Sequence, residues 1–430
     1  MSLTEATAVD VDDLDNPIMS VFWTQPQAVI EEKLAALRAQ PLTKFSEIPK
    51  NPVDPDNPAL ALAGSGAYVA TRYADIIEMS RNPQIWSSAG GITVLDSPPE
   101  FNEFFGSMIA MDDPRHARLR KLVSAGFTPR MLDKLEGGVV EKAKEIVDAI
   151  RDKGKVDFVV DVAARLPLTI VCDLMGIPRS EIDFVFEHTN TILGISDPEF
   201  HPPEGVDMLT ALLMAGGALA DLMKDVAKSK EGGDSDDLTT VLVNAEVEGE
   251  KLSDADIASF FVLLVVAGNE TTRNSTAWAL SYLTDNPDQR DLWQSDFDAH
   301  SKGAVEEIVR MASPVTYMRR TATQDTELGG QPIAAGEKVL MNYLAANRDE
   351  DVFDDPYRFD IQRQDNNHLG FGGPGPHFCL GAHLARRQIA SMYRELFTTL
   401  PDIHATSEPD VLEASFIHGV KHLDAEFTPA

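Results

Sequence analysis

Cys379 is one of only two cysteines in 430 residues. It lies in His368-Leu-Gly-Phe-Gly-Gly-Pro-Gly-Pro-His-Phe-Cys-Leu-Gly-Ala382, a Gly/Pro-rich loop running into an apolar-periodic helix. At a helix start the uncapped N–H groups and the positive end of the macrodipole favour a thiolate once an electrophile such as a metal is at hand. Structural zinc is excluded, because no second cysteine stands at short spacing. Gly372, Gly373, Gly375 and Gly381 let the backbone run close to something flat and bulky. A single thiolate with open space around it suits haem iron, where it pushes electron density toward O–O cleavage.

A second stretch, Val265-Val-Ala-Gly-Asn-Glu-Thr-Thr-Arg273, puts a glycine, an acid and two threonines inside an otherwise apolar helix. Two readings stand. The threonine hydroxyls are back-bonded at a packing contact, or a carboxyl and a hydroxyl are kept there for proton transfer, since burying a glutamate is costly unless something uses it. Asp112-Asp-Pro-Arg-His-Ala-Arg-Leu-Arg-Lys121 opens a helix with His116 and Arg120 four apart on one face, which alone is a solvated basic face. Glu307-Ile-Val-Arg310 is an i, i+3 pair that by itself would be a weak surface ion pair.

These residues need positioning elements. Leu384, Ile389, Met392 and Leu396 recur near a period of 3.6 and predict a helix from Leu380 to Leu396. Ser253 and Asp256 make a capping-box start for a helix over Ile257 to Leu283, with Pro287 beyond its end. Other helices are predicted at 27–39, 73–80, 129–153 and 167–175, and two within 180–228 joined through 196–203. Tyr68 to Thr71 and Val315 to Thr323 read as strands, the second turning Arg319 and Arg320 to opposite faces. Residues 46–63 form a Pro-rich connection, and 87–111 a long irregular segment whose many apolar residues mark it as functional. No repeat or domain boundary is visible, so residues 1–430 read as one domain with 1–15 a flexible acidic tail.

Acidic residues outnumber basic ones 69 to 37, a net charge of −32, which argues against nucleic-acid or anionic-membrane binding over the whole surface. Cys172 sits in an apolar helix, far in context from Cys379, so no disulfide framework is expected and a reducing cytoplasm fits. The N-terminus lacks a signal pattern. The longest apolar run, Phe260 to Gly268, is too short to span a bilayer, which predicts a buried helix and no transmembrane anchor.

The cysteine loop resembles the haem-binding signature of the cytochrome P450 family, with Gly375, His377, Cys379 and Gly381 in register. Phe371 stands one residue further from the cysteine than in that pattern, because the loop carries an extra residue. Ala267, Gly268, Glu270, Thr271 and Thr272 resemble the family's I helix, and Glu307 and Arg310 its structural Glu-x-x-Arg. The resemblance runs nearly the whole chain and implies a mainly α fold with small β-sheets and haem b between the I and L helices. It implies Cys379 as axial thiolate, and cofactor contacts from His116, Arg120, Ala267, Gly268, Arg320, Phe371, Gly372, His377 and Gly381. Gly268 would leave room for dioxygen, with Glu270 and Thr271 relaying protons.

The family's substrate-contact segments fall on Ile92, Val94, Leu95, Phe105 and Met108, on Ile192 and Leu193, on Val262 and Val266, and on Val315, Met318, Phe416 and Ile417. Nearly all are apolar, so the pocket binds hydrocarbon. The wording resembles the subgroup that hydroxylates the terminal position of methyl-branched fatty acids, isoprenoids and sterol side chains. Two alternatives stand beside it: hydroxylation of a polyketide or terpene, and a non-catalytic haem sensor or electron carrier. No flavin or nicotinamide domain is fused, so the expected electron source is a ferredoxin and its reductase, docking on Lys121, Arg386, Arg387 and Arg394 of a monomer.

Overall fold

The computed structural model describes residues 13–47, 64, 66–126, 129–244, 246–247 and 250–430. The first twelve residues of the acidic tail and nearly all of the Pro-rich connection lie outside that set.

Helices dominate. In chain order they are α1 Gln27–Arg38, α2 Tyr73–Arg81, α3 Pro99–Gly106, α4 Arg115–Gly126, α5 Pro129–Ile150, α6 Arg165–Met175, α7 Ile182–Gly194, α8 Met208–Lys230 and α9 Leu238–Asn244. The second half carries α10 Asp254–Asp285, α11 Pro287–Ser295, α12 Phe297–Ala312, α13 Tyr343–Ala346 and α14 Ala382–Thr399. The main core cluster joins the inner faces of α5, α6, α8, α10, α12 and α14, including Val139, Leu168, Leu219, Phe261, Ile308 and Met392.

The axis of this core is α10, which starts on the expected reciprocal capping box of Ser253 and Asp256. By length and composition α10 as a whole could cross a membrane, although its apolar run could not. Its residues are instead mostly buried in the protein and include Glu270 and Arg273.

One mixed sheet flanks the helices. Its strands are β1 Thr43–Phe45, β2 Ala67–Ala70, β3 Trp86–Ser87, β4 Tyr317–Ala322 and β5 Lys338–Asn342, in the order β1-β2-β5-β4-β3. Only the β2–β5 pair is parallel. Arg319 and Arg320 take opposite faces of β4, as alternation requires.

Residues 87–111 are less irregular than the sequence implied. Pro98 and Pro99 start α3, Pro99 having no N–H to lose at a helix start. Phe101 and Phe104 close on Phe105 at ring distances of 4.7 and 4.9 Å, and a side chain on Gly216 of α8 would meet Phe104 and Phe105 at 2.7 and 2.8 Å.

Candidate active site

A cavity of about 230 Å³ lies between α10 on one side and the cysteine loop with the start of α14 on the other. Cys379 opens onto it. The residue is exposed there, yet protein packs densely about the sulfur. That burial raises its pKa, while the Gly381 and Ala382 N–H groups, Arg120 and Arg386 pull the other way. The expected helix-end effect is therefore present but outweighed by burial, and α14 itself begins at Ala382.

The cysteine loop is braced from behind. Cys379 N–H donates to the Phe371 carbonyl at 3.0 Å, and Phe371 lines the cavity despite the extra residue. Gly372 holds a φ of +84°. Gly373 and Gly375 face Ser80 of α2, not the cavity, so their missing side chains make room for the Ser80 side chain and carbonyl where space for a flat ligand was expected. Gly381 meets nothing within 4 Å and does border the cavity.

At the rim, Arg120, Arg320, His116 and His377 converge, and among the described residues the one carboxylate paired with them is Asp113, whose Oδ1 lies 3.2 Å from His116 Nδ1. Arg320 is buried, donates to its neighbour's carbonyl at 2.7 Å and has no carboxylate partner among the described residues. Arg120 donates to the Phe378 carbonyl at 2.7 Å. His116 and His377 lie 4.2 Å apart, and His116 Nε2 and His377 Nδ1 are buried without partners. Burial, with Arg320, His116 and Arg120 nearby, pushes His377 down to about 2. Such a cluster calls for an anion. One cysteine sulfur facing a largely apolar chamber, with orphaned donors at its edge, fits a haem whose carboxylates take those donors.

Across the cavity, α10 presents Phe260, Leu263, Leu264, Ala267, Gly268 and Thr271, spaced i, i+3, i+4, i+7, i+8, i+11. A side chain on Gly268 would meet Val171 Cγ2 at 3.0 Å. The Thr271 hydroxyl donates to the Ala267 carbonyl at 2.7 Å, the back-bonded geometry, and leaves its lone pairs to the cavity. Glu270 does not join it. Its fully buried carboxylate pairs with Arg273, and Arg273 also donates to Asn190 of α7 at 2.9 Å. Burial raises the Glu270 pKa against the pull of Arg273. The expected carboxyl–hydroxyl pair is thus split between two faces of α10.

Of the anticipated substrate contacts, Met108, Val315 and Met318 line the cavity. The others do not. Val94 is packed with Tyr317 and Phe45, and Leu95 is exposed because Arg319 takes its carbonyl at 2.8 Å and ties the segment to the far face of β4. Ile92 is held likewise, its carbonyl accepting Arg319 N–H at 2.8 Å, while Phe105 packs with Phe101 and Phe104. Ile192, Val262 and Val266 belong to the main core, and Leu193, Phe416 and Ile417 to a cluster with Leu412. Residues 262 and 266 were out of phase on the helix. Stepping back by threes and fours from Gly268 and Thr271 would have reached Leu264 and Phe260. Val171 and Leu174 of α6 were missed altogether.

Glu307 and Arg310 are fully buried and bidentate, both contacts at 2.8 Å. Arg363 and Asn366 add donors to Glu307, and Arg310 reaches the carbonyls of Asn347 and Pro356 at 2.7 Å. Burial opposes the charge on Glu307, but Arg310 and Arg363 hold its pKa below the ordinary value. Neither residue lines the cavity. The anticipated docking patch is largely spent within the protein. Arg386 forks onto Glu306 at 2.5 and 3.0 Å and Arg394 pairs with Asp298, while Lys121 and Arg387 stay exposed.

A cysteine across a chamber from a helix bearing a glycine and a back-bonded threonine is the arrangement a haem-thiolate monooxygenase requires. The comparisons agree. The Cytochrome P450 family profile matches residues 214–399. A methyl-branched lipid omega-hydroxylase of Mycobacterium tuberculosis is 46% identical over 94% of this chain and 92% of that protein. A steroid C26-monooxygenase of Mycolicibacterium smegmatis is 36% identical over 92% of each. A Mycobacterium marinum cytochrome P450 in complex with pseudoionone shares the fold at a TM-score of 0.88 with 40% identity, covering 98% of this chain and all of that one. This chain belongs to the cytochrome P450 family, an enzyme family of haem-thiolate monooxygenases that use O₂ and a redox partner.

Proposed function

We propose that the protein hydroxylates the terminal carbon of a methyl-branched fatty acid, isoprenoid or sterol side chain. The observation that carries this is the apolar wall of Phe260, Leu263, Leu264, Val171, Leu174 and Met318 leading to the cysteine. Such a wall binds through hydrocarbon removed from water, about 25 cal/mol per Å². The names of the two curated relatives and the isoprenoid-like ligand of the solved neighbour support it.

Haem b, held by Cys379 and by His116, Arg120, Arg320 and His377, would supply the activation of dioxygen that inserts one oxygen atom into a C–H bond. The chain's own part is positioning, exclusion of water and proton control. The apolar wall aligns the chain end of the substrate and keeps bulk water out. Thr271, its proton given to Ala267, can accept a hydrogen bond from a protonated oxygen beside it, and Glu270 acts behind it once water or side-chain rotation links the two.

The electron donor in this reading is a ferredoxin supplied by its reductase, reaching a proximal surface around Lys121 and Arg387. The protein works as a single-domain monomer in the cytoplasm. Titrating the purified protein with a methyl-branched fatty acid and with cholestenone tests the substrate class. A low-spin to high-spin Soret shift with at least one supports the proposal, and no shift with either overturns it.

A further inference from the structure

Behind the cysteine loop, one carboxylate holds two arms that end on the same residue. Glu306, on α12 and immediately before the structural Glu307, accepts a fork from Arg386 at 2.5 and 3.0 Å and a bond from His368 Nε2 at 2.9 Å. Along one arm, Arg386 lays its guanidinium 4.3 Å from the centre of the Phe371 ring. Along the other, His368 Nδ1 accepts the Gly370 N–H at 3.0 Å, which fixes the peptide just before Phe371. The Phe371 carbonyl then takes the Cys379 N–H at 3.0 Å.

His368 thus bridges the Glu306 carboxylate to the Gly370 amide through its two ring nitrogens. Gly370 has no room to adjust, since a side chain there would meet Val309 of α12 at 2.6 Å.

We infer that Glu306 is a positioning residue for the thiolate: through Arg386 and His368 it fixes Phe371, and through Phe371 the Cys379 amide and the orientation of the sulfur. The inference rests on Cys379 being the haem ligand. The depressed pKa of Glu306, about 2 after His368 and Arg386 overcome the opposing effect of burial, agrees with a carboxylate that stays charged throughout the working range. The arrangement also gives Arg386 a role other than docking, because its charge is already engaged.

The test compares wild type with Glu306→Gln and His368→Phe, all reconstituted with haem. The measurements are the thiolate-specific carbon-monoxide band of the reduced protein, the iron–sulfur stretch by resonance Raman, the reduction potential, and the ferredoxin KM. Both variants should shift the iron–sulfur stretch and the potential and convert part of the band to the thiol-ligated form. Glu306→Gln, which frees Arg386, should not raise the ferredoxin KM. Unchanged stretch, band and potential in two folded variants would overturn the inference, as would an effect confined to the ferredoxin KM. Absence of the thiolate band in wild type would instead remove the haem-ligand reading beneath it.

Discussion

His116 and His377 stand with ring centroids 4.2 Å apart, and each keeps one buried nitrogen with no protein partner. Stacking fixes the rings, and Ser88 Oγ lies 3.2 Å from the other nitrogen of His377. If the two histidines hold the haem as proposed, replacing either with phenylalanine preserves the stack but removes one bond to a haem carboxylate. The expected cost is about 1.5–3 kcal/mol, roughly tenfold to a hundredfold faster haem loss measured by transfer to an apo-globin.

Thr271→Ala should cut product formation about 10²-fold and divert electrons to peroxide. Thr271→Ser keeps the hydroxyl and should retain coupling. Product and peroxide are counted per electron consumed, and an unchanged ratio in Thr271→Ala would remove Thr271 from proton control.

Leu264 faces the cavity and Val262, two residues earlier, faces the core. Leu264→Ala should weaken binding of a branched lipid by about 1–2 kcal/mol, roughly fivefold to thirtyfold in Kd. Val262→Ala should instead lower unfolding stability by about 1–2 kcal/mol and leave Kd unchanged. Spin-state titration and denaturant unfolding of both variants separate the two faces.

Glu307→Gln leaves the Arg310 guanidinium buried without its counter-charge. Breaking such a pair from one side costs about 3–5 kcal/mol. Denaturant midpoints should show it, together with loss of haem uptake, since Arg310 also holds the segment leading to the cysteine loop through Asn347 and Pro356.

The connection between α7 and α8 is tied to residues 421 and 422. Lys421 contacts Asp197 and Glu199 at 3.3 and 3.4 Å, and His422 sits between Asp157 and Glu199 at 2.5 and 3.0 Å. Burial alone would lower His422, but the two carboxylates raise its pKa above 6.5. A raised histidine stabilises the folded form fully below its ordinary pKa and loses that contribution as pH climbs through the raised value. The protection of the 196–203 amides, with the intrinsic base-catalysed rise in exchange divided out, should therefore fall as pH rises through that window. That fall in protection should vanish in His422→Asn.

The chemistry-bearing residues were legible because each breaks its local rule: a cysteine beside glycines, a glutamate and threonines inside an apolar helix, a histidine and arginine at four-residue spacing. What a sequence cannot show is which side of an element meets which neighbour. The α10 pocket stripe was recoverable from its own period once Thr271 set the phase. The separation of Glu270 from Thr271 was not, because it depends on Arg273 and on Asn190 of another helix. Ile92 and Leu95 misled for a similar reason, since their fate is decided by Arg319 across the sheet.

Gly373 and Gly375 lie against Ser80 of α2, and His116 and Arg120 belong to α4. All three of those partner residues precede the stretch, 214–399, that the family profile matches. The most recognisable half of the chain is thus not a self-sufficient fragment: cut free of its first two hundred residues, it would keep Cys379 and lose both the shelf that shapes the loop and two of the four nitrogen-bearing side chains at the cavity rim.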